Sequence, residues 1–282
     1  MKDQGTGQNV NQVAKELAHG AYHLDRIPFQ AGDVVLDIGG NVGLTAIYLA
    51  KMHPEVIIHT FEPSPINFQY ICENIQLNNI SNIIPHNNPV MDVNGKELIL
   101  HRPLDCPGGG WMSDTGVNHF EDGKFIEEKS ISVSFDYIIE HIIHFKRVRF
   151  LKLDCEGSEH AIISKSKYFT ADYIDYMGVE LHDNQNLRSQ RITNEKTYEE
   201  LLRRFPKDRI DIAGIIRIPD QKNTNEIEPA IKTTINPILK DSKIPKIIHY
   251  VWLSRRKKTA IVIKCLESWR RYAPDYEIKE WN

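Results

Sequence analysis

At 282 residues, with 41% hydrophobic and 26% charged side chains, the chain has room for one soluble globular domain of medium size and an appendage. No apolar run approaches the roughly 18 residues of a membrane span, the N-terminal MKDQGTGQNVNQV lacks a signal's apolar core, and the four scattered cysteines fit neither zinc nor disulfides, so a reducing cytoplasm is expected. The net charge of −3 hides 11 basic against 5 acidic residues from Leu239 onward, leaving 24 against 33 before it, an acidic body that argues against nucleic acid as a partner.

The first element is a short helix, since VNQVAKELAHGAYHL brings Val10, Val13, Ala14, Leu17, Ala18 and Ala21 onto one face. Gly32 and Asp33 turn the chain into VVLDI, an apolar run typical of a strand covered on both faces. GGNVG follows, then LTAIYLAKM with helical spacing, stopping near Pro54. Strand, glycine turn and helix open a nucleotide-binding α/β unit. Gly39, Gly40 and Gly43 let the backbone turn and approach a ligand, with Asn41 inside the turn. Asp37 ends the strand, where its carboxylate suits an amine. Nothing here resembles the GxxxxGK(S/T) phosphate loop.

The next strand, VIIHTF, ends at Glu62, 25 residues beyond Asp37, where an acid accepts the hydroxyls of a ribose. NAD and S-adenosyl-L-methionine share that need, but GGNVG lacks the GxGxxG geometry for a pyrophosphate, and the methionine nucleoside has an amine for Asp37 to meet. A helix over INFQYICENIQLNNI and a strand over NIIPHN come next. In the turn PVMDVNG, Asp92 lies either at an adenine rim or at the start of a surface turn; ELILH is a further strand. Periodicity disappears from His101 to Ser130, where PGGGWMSDTG is either an acceptor-binding lid or an ordinary long insertion. SISVSFDYII reads as a strand running into a helix.

VRFLKLDCEGSEHAII is an apolar strand ending in Asp154, with Glu156 and Glu159 behind it and His160 inside a helix, there to cap or pack. YIDYMGVELH brings Glu180 and His182 to another carboxyl end, and in a parallel sheet the two ends share one crevice. Crowded carboxylates need partners or solvent to relieve them, and a cationic cofactor would relieve one. Asp154, Glu156, Glu180 and His182 also carry metal-ligating atoms, but no motif fixes a geometry and no metal is expected. Asp154, Glu180 and His182 are the candidate catalytic residues. His182 leads as proton acceptor because its ordinary pKa lies nearest neutrality. A helix (Thr197–Phe205), a strand over RIDIAGIIRIP and a polar linker complete the region.

VVLDIGGNVG, FEPSPINFQYICENIQLNN, PVMDVNG, FLKLDCEGSEHAII and GVELH, in that order across residues 30–185, resemble the FkbM family of methyltransferases. The resemblance implies an α/β, Rossmann-like seven-stranded fold, S-adenosyl-L-methionine as cofactor, and O-methylation of a sugar or secondary metabolite. It assigns Asp37, Gly39, Gly43 and Glu62 to the cofactor site, and Asp154, Glu156 and Glu159 to the family's acidic signature. Gly40 and Pro89 depart from the usual pattern. Residues 244–282, IPKIIHYVWLS through KCLESWRRYAPDYEIKEWN, resemble the first strand, helix and second strand of a DXD-type sugar transferase, incomplete because no DXD follows. The alternative is a short α/β appendage. RRKK within this segment reads as a solvated loop.

The expected domains are therefore an N-terminal helical extension (1–28), a methyltransferase domain (29–220), a linker (221–243) and a sugar-transferase-like segment (244–282). The acceptor is expected to be a small molecule or glycan, with association with polysaccharide-assembly enzymes; the alternative is a non-catalytic scaffold.

Overall fold

The computed structural model describes residues 1–3, 8–18, 20–103, 111–112, 125–182, 185–205, 215–217, 247–251, 270 and 277–281. The chain divides into two units, Met1–Lys222 and Asn223–Asn282.

In the first unit, α1 (Gln8–Ala18) precedes a 3-10 turn (Ala21–Arg26). Leu17, Leu24 and Ile27 are buried in one core cluster with Val35, Ile58 and Phe150. The expected N-terminal helical extension (1–28) thus contributes Leu17, Leu24 and Ile27 to a core cluster of this unit. β1 (Val34–Ile38) is buried along its whole length, as its unbroken apolar run requires. α2 (Leu44–Met52), β2 (Ile57–Phe61), α3 (Pro65–Leu77) and β3 (Ile83–His86) follow. α3 starts where Pro65 takes a first-turn position that needs no N–H, and the Ser64 hydroxyl accepts from the Asn67 amide.

β4 (Val90–Met91) lies where a turn is expected and pairs in parallel with β8 (Val133–Ser134). β5 (Glu97–Pro103), β6 (Trp111–Met112) and β7 (Phe125–Ile131) form a separate antiparallel sheet in the order β6-β5-β7. β7 corrects the expectation of an aperiodic segment up to Ser130: FIEEKSI is exposed or half-exposed along its length, so it carries no apolar alternation. The rest of the candidate lid lies outside the described residues.

The chain then runs through α4 (Phe135–Tyr137), a π-turn (Ile138–Ile142), β9 (Val148–Leu153), α5 (Glu159–Lys165), β10 (Ile174–Val179), α6 (Gln185–Ser189), α7 (Asn194–Arg204) and β11 (Ile215–Arg217). The main sheet has the order β11-β10-β9-β1-β2-β3. It is parallel except for β11, which runs antiparallel on β10. Six of the expected seven strands are found among the described residues. From β1 the chain moves outward to β2 and β3, then returns to β9 on β1's other side. The crevice of such a sheet opens at that reversal, between the carboxyl ends of β1 and β9.

In the second unit, β12 (Ile247–Val251) and β13 (Glu277–Trp281) pair in parallel, Ile247 opposite Glu277 and Val251 opposite Trp281. The expected linker, RRKK and all but Arg270 of the intervening helix lie outside the described residues. No described helix is long and apolar enough to cross a membrane.

Candidate active site

The turn after β1 is held by its neighbours before any ligand is considered. The Gly39 and Gly40 amides both donate to the Phe61 carbonyl, at 3.0 and 2.9 Å. A Cβ on Gly39, whose φ is 85°, would lie 1.7 Å from the Asp154 carbonyl oxygen; one on Gly40 would lie 2.3 Å from Thr60 Oγ1. These glycines are therefore required by the contact between β1, β2 and β9. Gly43, at φ 82°, starts α2, and Asn41, at φ 50°, lies between.

Asp37 is 1% exposed, and its Oδ2 accepts from Thr60 Oγ1 at 2.7 Å. Its nearest cation is Lys152, buried on β9, with Nζ 3.7 Å from Asp37 Oδ1, 3.1 Å from Asp154 Oδ2 and donating to the Gly39 carbonyl at 2.9 Å. Burial alone would lower the ammonium's pKa, but the Asp154 and Asp37 carboxylates outweigh it and raise it further. Asp37 Oδ1 and Asn41 Oδ1 are buried with no hydrogen-bond partner. At the end of β2, Glu62 accepts from the amides of Asn41 (2.8 Å) and Ser64 (3.0 Å). Burial pushes its carboxyl up to about 7, against the pull of those two donors.

The acidic residues meet around one imidazole. Glu159, fully buried, accepts from the Cys155 and Gly157 amides, and its Oε1 lies 3.0 Å from His182 Nδ1. Around His182 Nε2 stand Glu156 at 3.6 Å and Asp154 and Glu180, each at 3.9 Å. Burial would lower the imidazole's pKa, but the Glu159 hydrogen bond and the surrounding carboxylates raise it to about 9. A pKa raised in this way works against His182 as the proton acceptor that sequence led one to expect. Glu156, at φ 54°, is shifted the other way for a base: burial and the neighbouring carboxylates raise it to about 7 although His182 opposes them. His160 packs as expected, its Nε2 donating to the His182 carbonyl at 2.7 Å.

Asp154, Glu180 and His182 also present ligand atoms within 4.8 Å of one another. Asp92, expected either at an adenine rim or at the start of a surface turn, has its Oδ2 2.6 Å from Lys165 Nζ and lines a cavity that α5 and α7 also line.

Sequence reasoning missed Lys152, although a lysine inside an apolar strand must be paired if buried. It also missed Tyr22, for which local sequence carries no signal. This residue, at φ 61°, is partly buried near Lys152, Asp154 and Glu180, and a Cβ on Gly178 of β10 would come 2.4 Å from its ring.

Residues 37–209 match the family model described as "Methyltransferase FkbM domain". "Methyltransferase 1" of Beauveria bassiana is 27% identical over 196 residues, covering 62% of this chain and 78% of that protein. The tRNA(Phe) (4-demethylwyosine(37)-C(7)) aminocarboxypropyltransferase of Methanocaldococcus jannaschii is 25% identical, over 46% of this chain and about half (51%) of that one. Among solved structures, precorrin-6y C5,15-methyltransferase from Geobacter metallireducens is 12% identical with a TM-score of 0.34, covering 71% of this chain and 74% of that chain.

Proposed function

The chain belongs to the methyltransferase FkbM domain family, and from that premise we propose that it methylates a hydroxyl of a sugar or polysaccharide precursor, with S-adenosyl-L-methionine as methyl donor. The observation that carries the donor assignment is the pair of buried acceptors without donors, Asp37 Oδ1 and Asn41 Oδ1, beside Glu62 at the glycine turn. Those atoms suit a ligand bearing an ammonium and hydroxyls. When bound, S-adenosyl-L-methionine supplies an electrophilic methyl carbon on a sulfonium. Asp37 and Asn41 would meet the amine side, and Glu62 would accept the ribose hydroxyls beside the two amides it already holds. Lys152, 3.7 Å from Asp37 Oδ1, holds that carboxylate in place.

The acceptor hydroxyl must lose its proton as the new bond forms. We assign that proton to Glu156 or Asp154. Glu156 is the better matched, because its pKa of about 7 lets it be ionised and still basic near neutrality. The imidazolium of His182 positions both carboxylates, and Glu180 completes the ring around it. The saccharide acceptor is supported by the sugar-transferase-like sequence of residues 244–282, which also supports association with polysaccharide-assembly enzymes. Calorimetry with S-adenosyl-L-methionine, S-adenosylhomocysteine and NAD tests the donor; binding of NAD alone overturns it. Labelled donor offered with oligosaccharide extracts tests the acceptor, and transfer to polypeptide alone refutes the saccharide.

A further inference from the structure

The first unit has a cavity of about 630 Å³ outside the glycine turn, within the size range of small-molecule sites. Five cationic side chains line it: Lys96, Lys165, Arg191, Lys196 and Arg203. They come from separate parts of the chain: the turn before β5, the end of α5, the segment after α6, and both ends of α7. Such convergence differs from a solvated stripe on one helix. Two carboxylates share the lining, Asp92 against Lys165 and Glu200 against Arg203. Even with Lys96 set aside, the lining carries four cationic side chains against two carboxylates, although residues 1–238 carry 24 basic and 33 acidic side chains.

Its position relates it to the chemistry. Gly157 and His160 line the cavity, while Glu156, one residue before Gly157, faces His182 in the crevice. One short segment thus borders both sites, which places the cavity beside the acidic cluster. A cluster of Lys and Arg forks in a concave site suits a phosphoryl group, whose oxygens accept several charge-assisted hydrogen bonds. We propose that this cavity binds the phosphoryl group of a phosphorylated sugar, so that the acceptor is a sugar phosphate. The acceptor part of this proposal rests on the saccharide methylation proposed above; the anion site does not.

Calorimetry on the full chain, with S-adenosylhomocysteine already saturating, tests it with glucose 1-phosphate, glucose, inorganic pyrophosphate and a short RNA as probes. Glucose 1-phosphate and pyrophosphate should bind and glucose should not. R191A/K196A should weaken both by about tenfold or more, while retained S-adenosylhomocysteine binding shows that this variant is folded. Equal phosphate affinity in the double variant overturns the proposal, as does competition between the phosphate probes and S-adenosylhomocysteine. Tight, length-dependent RNA binding without glucose 1-phosphate binding also overturns it, in favour of a nucleic-acid surface. If S-adenosylhomocysteine fails to bind while the phosphate probes bind and respond to R191A/K196A, the methyl-donor reading falls and the anion site stands.

Discussion

At the residue scale, pH separates the roles of His182 and Glu156. His182 has its pKa raised from 6.5 to about 9 on folding. Its stabilisation is fully present below about pH 6.5 and lost as pH rises through about 9. Glu156 is raised from 4.5 to about 7, so the folded state holds its proton more tightly and stability falls as pH rises from 4.5 to 7. Each effect amounts to at most about 3 kcal/mol. Urea midpoints measured from pH 4.5 to 10 should show a flatter lower arm in E156Q and a flatter upper arm in H182Q. If Glu156 takes the acceptor's proton, turnover should rise with a midpoint near pH 7, and H182Q should move that midpoint upward by removing the opposing cation. An unmoved midpoint in H182Q excludes Glu156 from that role. Lys152 gives a second residue-scale prediction. K152M leaves the Asp37 carboxylate 1% exposed without its cation, which should cost about 3–5 kcal/mol. Adding D37N should recover much of that loss, and two equal urea midpoints would show that the pair is uncoupled.

At the scale of elements, the 3-10 turn before β1 is fitted to β10 at Gly178. Tyr22 and His23 both have positive φ, an uncommon backbone state for residues with side chains. The Tyr22 ring occupies the space where Gly178 has no Cβ. G178A should force that ring away and cost about 1–3 kcal/mol. Y22A removes the clash, so the Y22A/G178A pair should be no less stable than Y22A alone. Thermal unfolding of the four proteins reads this cycle, and additive losses would show that the ring moves aside freely. Because Tyr22 lies near Lys152, Asp154 and Glu180, the same cycle read by acceptor KM reports whether this turn shapes the crevice.

At the scale of the whole molecule, the family match ends at residue 209 and the first compact unit at Lys222. Leu201 and Phe205, near the end of the match, are buried in the main core with Phe169 and Ile174. The chain cut after Lys222 should therefore keep its affinity for S-adenosylhomocysteine within about twofold, within the scatter of independent sites. A loss of an order of magnitude or more in calorimetry would make residues 223–282 part of the cofactor domain.

Local pattern determined the elements that build the crevice. The apolar runs of β1, β2, β9 and β10, the glycine turn and the acids at the strand ends were legible because burial on both faces and tight turning restrict which residues fit. Pairing, protonation and local use depended on residues distant in sequence. Lys152 lies 115 residues from Asp37, Tyr22 is 156 from Gly178, and the pKa of His182 is raised by carboxylates at 154, 156 and 159. β7 carried no apolar alternation because it lies largely exposed, and Asp92 was drawn to Lys165, 73 residues on. A side chain's charge state and the space beside a glycine are fixed by neighbours brought within a few ångströms by folding; local periodicity contains neither.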